Sequence, residues 1–446
     1  MRILIHGINF YPEAAGVGKY SGEMANWLAA AGHEVRVVTG PPYFPQWRVS
    51  PGYCAWRYDR QQHPVSEMMG PVPESSPDAQ TRTLEVFRCP TWVPHCPGGL
   101  KRLIHLASFA ISSLPILLWQ TRWHPDLVLL VEPTLVCGPQ ALLAARWSGA
   151  KSWLHIQDFE VDAAFGLGDF VSSRWRRLAM HLERRMMRRF DRVSTISGQM
   201  VVRLNDKGVD ASHCLLVPNW VDARMIYPHT RPSSLRQELG IPENTVVALY
   251  SGSMGKKQGL DILVDAARQL SNRCDLRFVF CGDGPYLRAL VEKSLGLANV
   301  SIVPFQPTER LNDLLNLADI HLLPQRAEAA DLVMPSKLTG MLASGRPVIA
   351  TAEEGTQLAS AVHQHGIVVP PGDPQAFASA IVQLADDKDL RLMLGQQARR
   401  YAKTHLDSFV ILDQFEKSLL AVCGIDGGRA REPIQVNDLE PRGYGV

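Results

Sequence analysis

The sequence predicts two doubly wound, Rossmann-like α/β domains in tandem, and three observations carry that prediction. The apolar run Arg2–Ile8 passes through a glycine-containing loop, 9–18 (NFYPEAAGVG), into a helical stretch at Lys19–Ala31 and a second apolar run at Glu34–Thr39 (EVRVVT). That is a β-loop-α-β unit, the repeat of a parallel sheet covered by helices. The same alternation restarts at Val246–Ser251 and continues for the rest of the chain. Third, 446 residues is a length for two domains rather than one.

Composition narrows the function classes. The chain is 46% hydrophobic and 20% charged, ordinary for a folded protein with sizeable cores. A net charge of +2 gives no global case for nucleic acid as a partner. None of the eight cysteines forms a C-x-x-C pair or a zinc-finger spacing, so no metal site is expected. The start, MRILIHGINF, reads as a first strand rather than a signal peptide, and the expected compartment is the cytoplasm with reduced thiols.

Taken in order, the first helix carries Tyr20, Met24, Trp27 and Leu28 on one face and ends at Gly32. Gly16 and Gly18 in the loop before it lack the third glycine of a dinucleotide fingerprint, and no acid ends the second strand. The glycines are expected instead to let a substrate approach the backbone. Residues 41–97 form a long aromatic-rich excursion with a strand at Arg82–Arg88. Leu103–Trp119 is the most apolar run; it contains Pro115 and is expected to be a buried or interfacial helix, not a span. Strands follow at Leu127–Glu132 and Ser152–Gln157, with a helix at Leu135–Trp147 between them.

Ser173–Val193 is amphipathic, with Trp175, Leu178, Leu182, Met186, Phe190 and Val193 at helical spacing. It carries eight arginines against two acids, a local excess of six positive charges. It is either a solvated basic helix or one that docks on anionic headgroups or a polyanionic acceptor through Arg184, Arg185, Arg188 and Arg189. The second half alternates strands at Val246–Ser251, Leu276–Cys281, Val300–Val303 and Ile320–Leu323 with helices at Asp261–Leu270, Tyr286–Leu295 and Arg310–Ala318. Further helices are expected at Pro374–Asp386, Asp389–Thr404 and Leu406–Val422.

Pro324–Thr351 is the stretch with the most chemistry. It reads as a strand end, a polar loop, a helix opening at Pro335-Ser336 and ending at Gly345, and a buried strand at Val348–Ala350. The helix start with Lys337, and Glu328 and Asp331 upstream, suit a phosphate-bearing sugar. An ordinary loop–helix–strand unit is the competing interpretation. Two doubly wound domains in tandem place ligand loops at the strand C-termini, here 10–18, 157–160, 219–222, 252–259, 282–285, 304–307 and 328–337.

These segments resemble a known family in order along nearly the whole chain. GHEVRVVT, VPNWVD, YSGSMGKKQGLDIL, FCGDGPYLRAL, ADIHLLP and MPSKLTGMLASGRPVIAT look like those of family-4 glycosyltransferases of GT-B fold. HGINFYPEAAGVGKYSGEMANWLAAAGHEVRVVTG and WLHIQDFEVDAAF most resemble the colanic-acid-type transferases of bacterial exopolysaccharide assembly, a group assigned to fucosyl transfer from GDP-fucose. The resemblance implies an acceptor-binding domain over 1–217 and a donor-binding domain over 218–404, facing across a cleft. It also implies a helix at 405–423 crossing back to the first domain, and the Gly, Arg and Pro content of 424–446 is that of a disordered tail. It further implies retaining transfer from a nucleotide diphosphate sugar to a lipid-linked oligosaccharide. No metal or other cofactor would be needed, and the protein would be cytoplasmic and peripheral at the inner face of the plasma membrane. An epimerase of the same fold and a non-catalytic scaffold of the assembly machinery are the alternatives.

Residue by residue, the family's diphosphate-binding Arg and Lys fall at Ser253 and Gln258, with Lys256 and Lys257 between them and Lys337 as further cation. Gly282, Asp283, Gly284 and Pro304-Phe305 fit its base-binding wall. Of its glutamate pair, Glu328 matches the first and Gly340 stands in the place of the second, which in the family grips the ribose. Asp331, Glu353 and Glu354 are the candidate substitutes, and Ser336 and Gly340 are placed against the donor. A glycine inside a helix costs about 1 kcal/mol relative to alanine, so a close neighbour is expected at Gly340. Asp158 takes the place of the family's His-Asp element, with Gln157 where the His often sits, His155 on the same strand face, and Glu160 and Asp162 as alternative carboxylates. Asp158, Glu328 and Lys337 are the expected catalytic set. The departing phosphate would take the acceptor proton, leaving the protein to stabilise the diphosphate and orient the reactants.

Overall fold

The computed structural model describes residues 1–68, 70–73, 81–95, 98–133, 135–159, 173–255, 258–326 and 335–425. It comprises two compact units, Met1–Pro218 with the described part of Phe409–Val446, and Asn219–Ser408.

The first unit is built on an eight-stranded sheet. Its strands are β1 (Arg2–His6), β2 (Glu34–Thr39), β3 (Asp59–Pro64), β4 (Thr83–Arg88), β5 (Leu127–Val131), β6 (Lys151–Ile156), β7 (Arg192–Thr195) and β8 (Cys214–Leu216). Their order is β3-β4-β2-β1-β5-β6-β7-β8, parallel except for the β3–β4 pair. The sequence reading did not foresee β3: DRQQHP has no apolar alternation, because an edge strand needs no buried side. β1, β5 and β6 are buried along their length but for the first residue of β1 and of β6, as strands covered on both faces are.

Strand alternation sorts the two faces. Leu4, Val128, Leu130, Leu154, Ile156 and Val193 point to a core shared with the helices Gly99–Gln120, Gly138–Ser148 and Gly198–Asp206 and with Met187 at the end of Ser173–Met187. The opposite face receives Gly16–Ala30 and the C-terminal helix Ser408–Val422, whose Phe415 ring meets Trp153 at 5.4 Å. Glu416 fixes that helix by accepting from Trp27 Nε1 at 2.8 Å and by contact with His33 Nε2 at 3.1 Å. The last helix thus returns to the first unit.

The second unit has six parallel strands: β9 (Val246–Ser251), β10 (Leu276–Cys281), β11 (Val300–Val303), β12 (Ile320–Leu323), β13 (Val348–Thr351) and β14 (Gly366–Val369). Their order, β11-β10-β9-β12-β13-β14, reverses direction between β9 and β12. That is the doubly wound order of a dinucleotide-binding sheet, and ligands of such sheets bind beyond the strand C-termini at the reversal. The helix Gln357–His363, capped by Thr356 Oγ1 accepting from Ala359 N at 3.2 Å, was not foreseen.

Candidate functional site

In the second unit the reversal point is flanked by the loops that leave Ser251 and Leu323. The first loop is joined to the one after β10 by backbone bonds: Gly252 N donates to Cys281 O at 2.9 Å, Met254 N to Asp283 O at 2.8 Å, and Tyr286 N to Met254 O at 2.9 Å. This closeness explains two glycines. A Cβ on Gly282 would stand 1.9 Å from Gly252 O, and one on Gly284 2.5 Å from Met254 O. Both positions also hold positive φ. The sequence reading assigned these glycines to a wall whose backbone groups read a nucleobase; the structure shows what bars a side chain from each, the backbone set against its Cα atom.

Lys337 opens the helix Lys337–Ala343 and points back toward Gly252, where an added Cβ would meet Lys337 Cδ at 3.4 Å and Nζ at 3.7 Å. Its Nζ lies 4.2 Å from the centre of the Tyr250 ring and has no hydrogen-bond partner among the described residues. The residue as a whole is half-buried, but the ammonium end is enclosed. Burial pulls its pKa down to about 7. Buried charges are ordinarily paired, so an enclosed lysine that faces an aromatic ring and finds no partner among the described residues departs from a satisfied interior. Tyr250 is held under it by donating its hydroxyl to Ser253 O at 2.6 Å. The sequence reading missed Tyr250; its signal was a polar-tipped residue at the C-terminal end of the apolar strand VVALYS.

The other predicted donor residues distribute as follows. Ser253 and Ser336 are exposed, and Ser336 O accepts from Thr339 Oγ1 at 2.9 Å. Phe305 is 65% exposed just beyond β11, which makes it an open aromatic platform. Gly340 sits mid-helix with Leu315 Cδ1 at 3.3 Å from where its Cβ would be, so the close neighbour expected there is a packed methyl group. Glu353 and Glu354 are exposed directly after β13. Gln258 Oε1 accepts from Gly255 N at 3.1 Å. Lys256, Lys257, Glu328 and Asp331 lie outside the described residues.

In the first unit the strand order reverses between β1 and β5. The loop after β1 carries Glu13, which no sequence signal had singled out. Its Oε1 accepts from Tyr43 N and Phe44 N, both at 2.9 Å, and its Oε2 from Asn9 Nδ2 at 3.0 Å. Burial raises its pKa to about 7 against the lowering effect of those bonds. Gly18 exists to admit it, since a Cβ there would fall 2.2 Å from Glu13 Oε2. Gly16, at φ +64°, packs on the Phe44 ring. The space over both glycines is therefore occupied by this chain's own side chains. The available clue was an acid five residues before a glycine at a helix start.

At the end of β6, His155 is fully buried between Ser194 Oγ at 2.9 Å and Gln157 Nε2 at 3.0 Å, and burial lowers its pKa to about 4. It is a neutral core histidine oriented by Gln157 on the same strand face. Asp158 follows, half-buried, at the strand C-terminus. Glu160 and Asp162 lie outside the described residues.

Arg184, Arg185, Arg188 and Arg189, with His181, line a cavity of about 340 Å³. Arg188 is fixed by donating to Lys207 O at 3.2 Å, and its guanidinium fills the space over Gly208. The face of this helix that packs inward differs from expectation. Glu183, Met187 and Phe190 are buried, whereas Leu178 and Leu182 are 46% and 55% exposed. Glu183 is drawn inside because it pairs with buried Lys207.

Comparison with known proteins matches both units. The glycosyl transferase 4-like domain model matches residues 15–220, and the glycosyl transferases group 1 model matches residues 245–387. A protein of Escherichia coli (strain K12) assigned as a colanic acid biosynthesis glycosyl transferase, WcaI, is 40% identical over 430 residues, 93% of this chain and 98% of that protein. An alpha-D-kanosaminyltransferase of Streptomyces kanamyceticus is 31% identical over 173 residues, 38% of this chain and 43% of that one. Among solved structures, sucrose-phosphate synthase from Thermosynechococcus elongatus superposes with a TM-score of 0.69 at 19% identity, covering 94% of this chain and 99% of that one. The lipopolysaccharide glycosyltransferase WaaG gives 0.62 at 18%, over 96% and 100%. HepE of Anabaena, solved in complex with UDP, gives 0.64 at 16%, over 94% and 100%. These structural likenesses establish the GT-B fold.

Proposed function

The chain belongs to the GT-B glycosyltransferases with group 1 and 4-like domains, of the type that serves colanic acid and related exopolysaccharide biosynthesis, and we propose from that premise that it is a retaining transferase moving fucose from GDP-fucose to a lipid-linked oligosaccharide. One observation carries the donor side: Lys337, an enclosed ammonium without a hydrogen-bond partner among the described residues, beside Gly252 at the sheet reversal. A diphosphate placed there supplies the missing counter-charge, and the ammonium stabilises the negative charge that grows as the glycosidic bond to phosphate breaks. Phe305 offers a face for the base, and the exposed Glu353 and Glu354 are the candidate carboxylates for the ribose in place of the glutamate that Gly340 replaces.

The acceptor falls to the first unit. Asp158 at the end of β6 orients the attacking hydroxyl, and the leaving phosphate takes its proton on the same face, so the anomeric configuration is kept. Lys337, with Lys256 and Lys257, does the electrostatic work and the reaction needs no metal. The enzyme works as a peripheral protein on the cytoplasmic side of the inner membrane, where a lipid-linked acceptor presents its sugar.

The test is a screen of nucleotide sugars against isolated lipid-linked glycans, read by mass spectrometry, with the product anomer assigned by NMR. Transfer from GDP-fucose with retention, undiminished by EDTA, is the expected result. Transfer from a different nucleotide sugar would replace the donor assignment, and inversion would remove the role given to the leaving phosphate.

A further inference from the structure

We infer that the helical face of the first unit is a docking surface for an anionic lipid bilayer, with the helix Gly99–Gln120 lying in the plane of the interface. The inference deepens the peripheral membrane contact proposed above and rests on that reading for its purpose; the surface itself stands on separate observations.

The first is an inverted helix. Gly99–Gln120 buries His105, Leu106, Phe109, Ser113, Leu117 and Gln120, one stripe at three- and four-residue spacing, against the sheet. The stripe includes polar groups with specific partners: His105 Nδ1 meets Trp92 O at 2.6 Å, Ser113 Oγ meets His6 Nε2 at 3.1 Å, and Gln120 Oε1 accepts from Arg36 Nη1 at 3.0 Å. The opposite face, which in a water-facing helix would be charged, is apolar instead. Leu100, Leu103, Ile104 and Ile111 are 72%, 57%, 48% and 75% exposed. Between Arg102 and Arg122 there is no Asp, Glu, Lys or Arg at all. At 1.5 Å per residue the apolar face runs for roughly 30 Å. Exposed apolar surface of that extent marks an interaction site rather than scatter.

The second observation decides between spanning and lying flat. The helix is long and apolar enough to cross a membrane by length and composition. Its buried stripe, however, is packed on the sheet and hydrogen-bonded to it. A helix held along a folded domain presents only its free side, so it enters the interface sideways. Its surroundings suit that depth. Tyr58, 51% exposed, donates to Ser112 O at 2.9 Å, which brings the aromatic segment with Trp56, 70% exposed, alongside the apolar face. Trp119, 45% exposed, stands at the far end of the helix. Tryptophan and tyrosine favour the headgroup level of a bilayer.

The third observation names the charge of the lipid. The helix Ser173–Met187 belongs to the same face of the sheet, since Met187 joins the core that Leu106, Phe109 and Leu117 enter. There Arg184, Arg185, Arg188 and Arg189 line their cavity, one to two turns from exposed Leu178 and Leu182. Four guanidinium groups gathered on one cavity repel one another. Headgroup phosphates in the cavity relieve that repulsion, and arginine is the side chain best suited to bind them bidentately. Apolar side chains flanked by arginines, on one face, match an acyl boundary overlaid by anionic headgroups. A second copy of the chain would set arginine against arginine.

The experiment is flotation of the full chain with vesicles of phosphatidylglycerol and phosphatidylcholine and, separately, of phosphatidylcholine alone. The protein should float with the anionic vesicles, less so at high salt. Both Ile104→Ser/Ile111→Ser and Arg184→Glu/Arg185→Glu should weaken partitioning by about tenfold or more. Circular dichroism and nucleotide-sugar binding check that each variant is folded. Absence of flotation with anionic vesicles overturns the inference, and so does flotation unchanged in both variants. A concentration-dependent dimer that Ile104→Ser/Ile111→Ser dissolves assigns the face to a second copy and likewise overturns it. Transfer to a short-chain, water-soluble acceptor analogue without vesicles separates this from the proposed function. Ile104→Ser/Ile111→Ser should leave that rate unchanged, whereas a protein that floats but transfers no sugar retains the docking face and loses the catalytic assignment.

Discussion

Lys337 gives a prediction with a sign fixed by its surroundings. Burial holds its pKa at about 7 in the ligand-free protein, well below the ordinary 10.5. A diphosphate beside the ammonium favours the charged form and raises that pKa again. Donor binding should therefore take up a proton above neutral pH. Affinity should be highest below about pH 7, where the lysine is already charged, and should fall by about tenfold between about pH 6 and about pH 8. Calorimetry with an intact nucleotide sugar, in buffers of differing ionisation enthalpy, measures both the slope and the proton; the diphosphate diester itself does not titrate in this range. Lys337→Met should remove the slope and cost about 1.5–3 kcal/mol at the low-pH end, the range for a hydrogen bond to a charged group. Stability moves the opposite way. A lysine whose folded pKa is depressed destabilises the fold at low pH, and the penalty is relieved as pH rises from about 7 toward 10.5. Its ceiling is about 5 kcal/mol, reduced in practice by the Tyr250 contact, so ligand-free Lys337→Met should melt higher than the parent at about pH 6. A dissociation constant that is flat across the range, with an unchanged melting temperature in Lys337→Met, would refute the argument.

The glycines of the second unit should separate by thermal melting. Gly282→Ala drives a methyl group into Gly252 O and should destabilise the unit by more than about 2 kcal/mol. Gly340→Ala meets only Leu315 Cδ1 in an otherwise regular helix and should be neutral or stabilising by up to about 1 kcal/mol. Glu13, whose folded pKa is raised to about 7, contributes stability that is complete below about pH 4.5 and is lost as pH rises through 7. Glu13→Gln should flatten that part of the stability–pH curve, seen by denaturant titration, and should cost about 1–2 kcal/mol because its amide would face Asn9 Nδ2 donor to donor.

What the sequence disclosed follows the strength of each physical signal. The strands of the second unit are continuous apolar runs, and Val246–Ser251, Leu276–Cys281, Val300–Val303 and Ile320–Leu323 all form where the runs lie. β3 gave no signal because its residues stay at an edge and half-exposed. The basic helix showed its period but not its buried side, since the decisive contact, Glu183 with Lys207, joins residues from separate helices. The same limit applies to the glycines. Sequence shows that Gly18 and Gly282 are glycines at loop ends, but not whether a ligand or the chain itself needs the room. In both cases the chain does, through Glu13 and Gly252 O. Lys337 was legible as a cation near a helix start, while its enclosure depended on Tyr250, far away in sequence.

The two units use one topological device and fill it differently. In each, the strand order reverses at a central pair, and chemistry-bearing residues gather beyond the strand ends. In the first unit the carboxylates there are Glu13 after β1, Glu132 after β5 and Asp158 after β6, while the buried cation at the end of β4, Arg88, is set against the carbonyls of Gly40 and Tyr11. In the second, carboxylates at the strand ends, Asp283, Glu353 and Glu354, are exposed, and the enclosed group is a cation, Lys337, over the Tyr250 ring. A hydroxyl nucleophile is oriented by hydrogen-bond acceptors, and a departing diphosphate is stabilised by positive charge in a water-poor setting. Had the fold alone set the chemistry, the two reversal points would carry similar groups, for their sheets are wound alike. The difference arises from a few side chains placed at strand ends, and the proposed division of acceptor and donor between the units draws on those side chains.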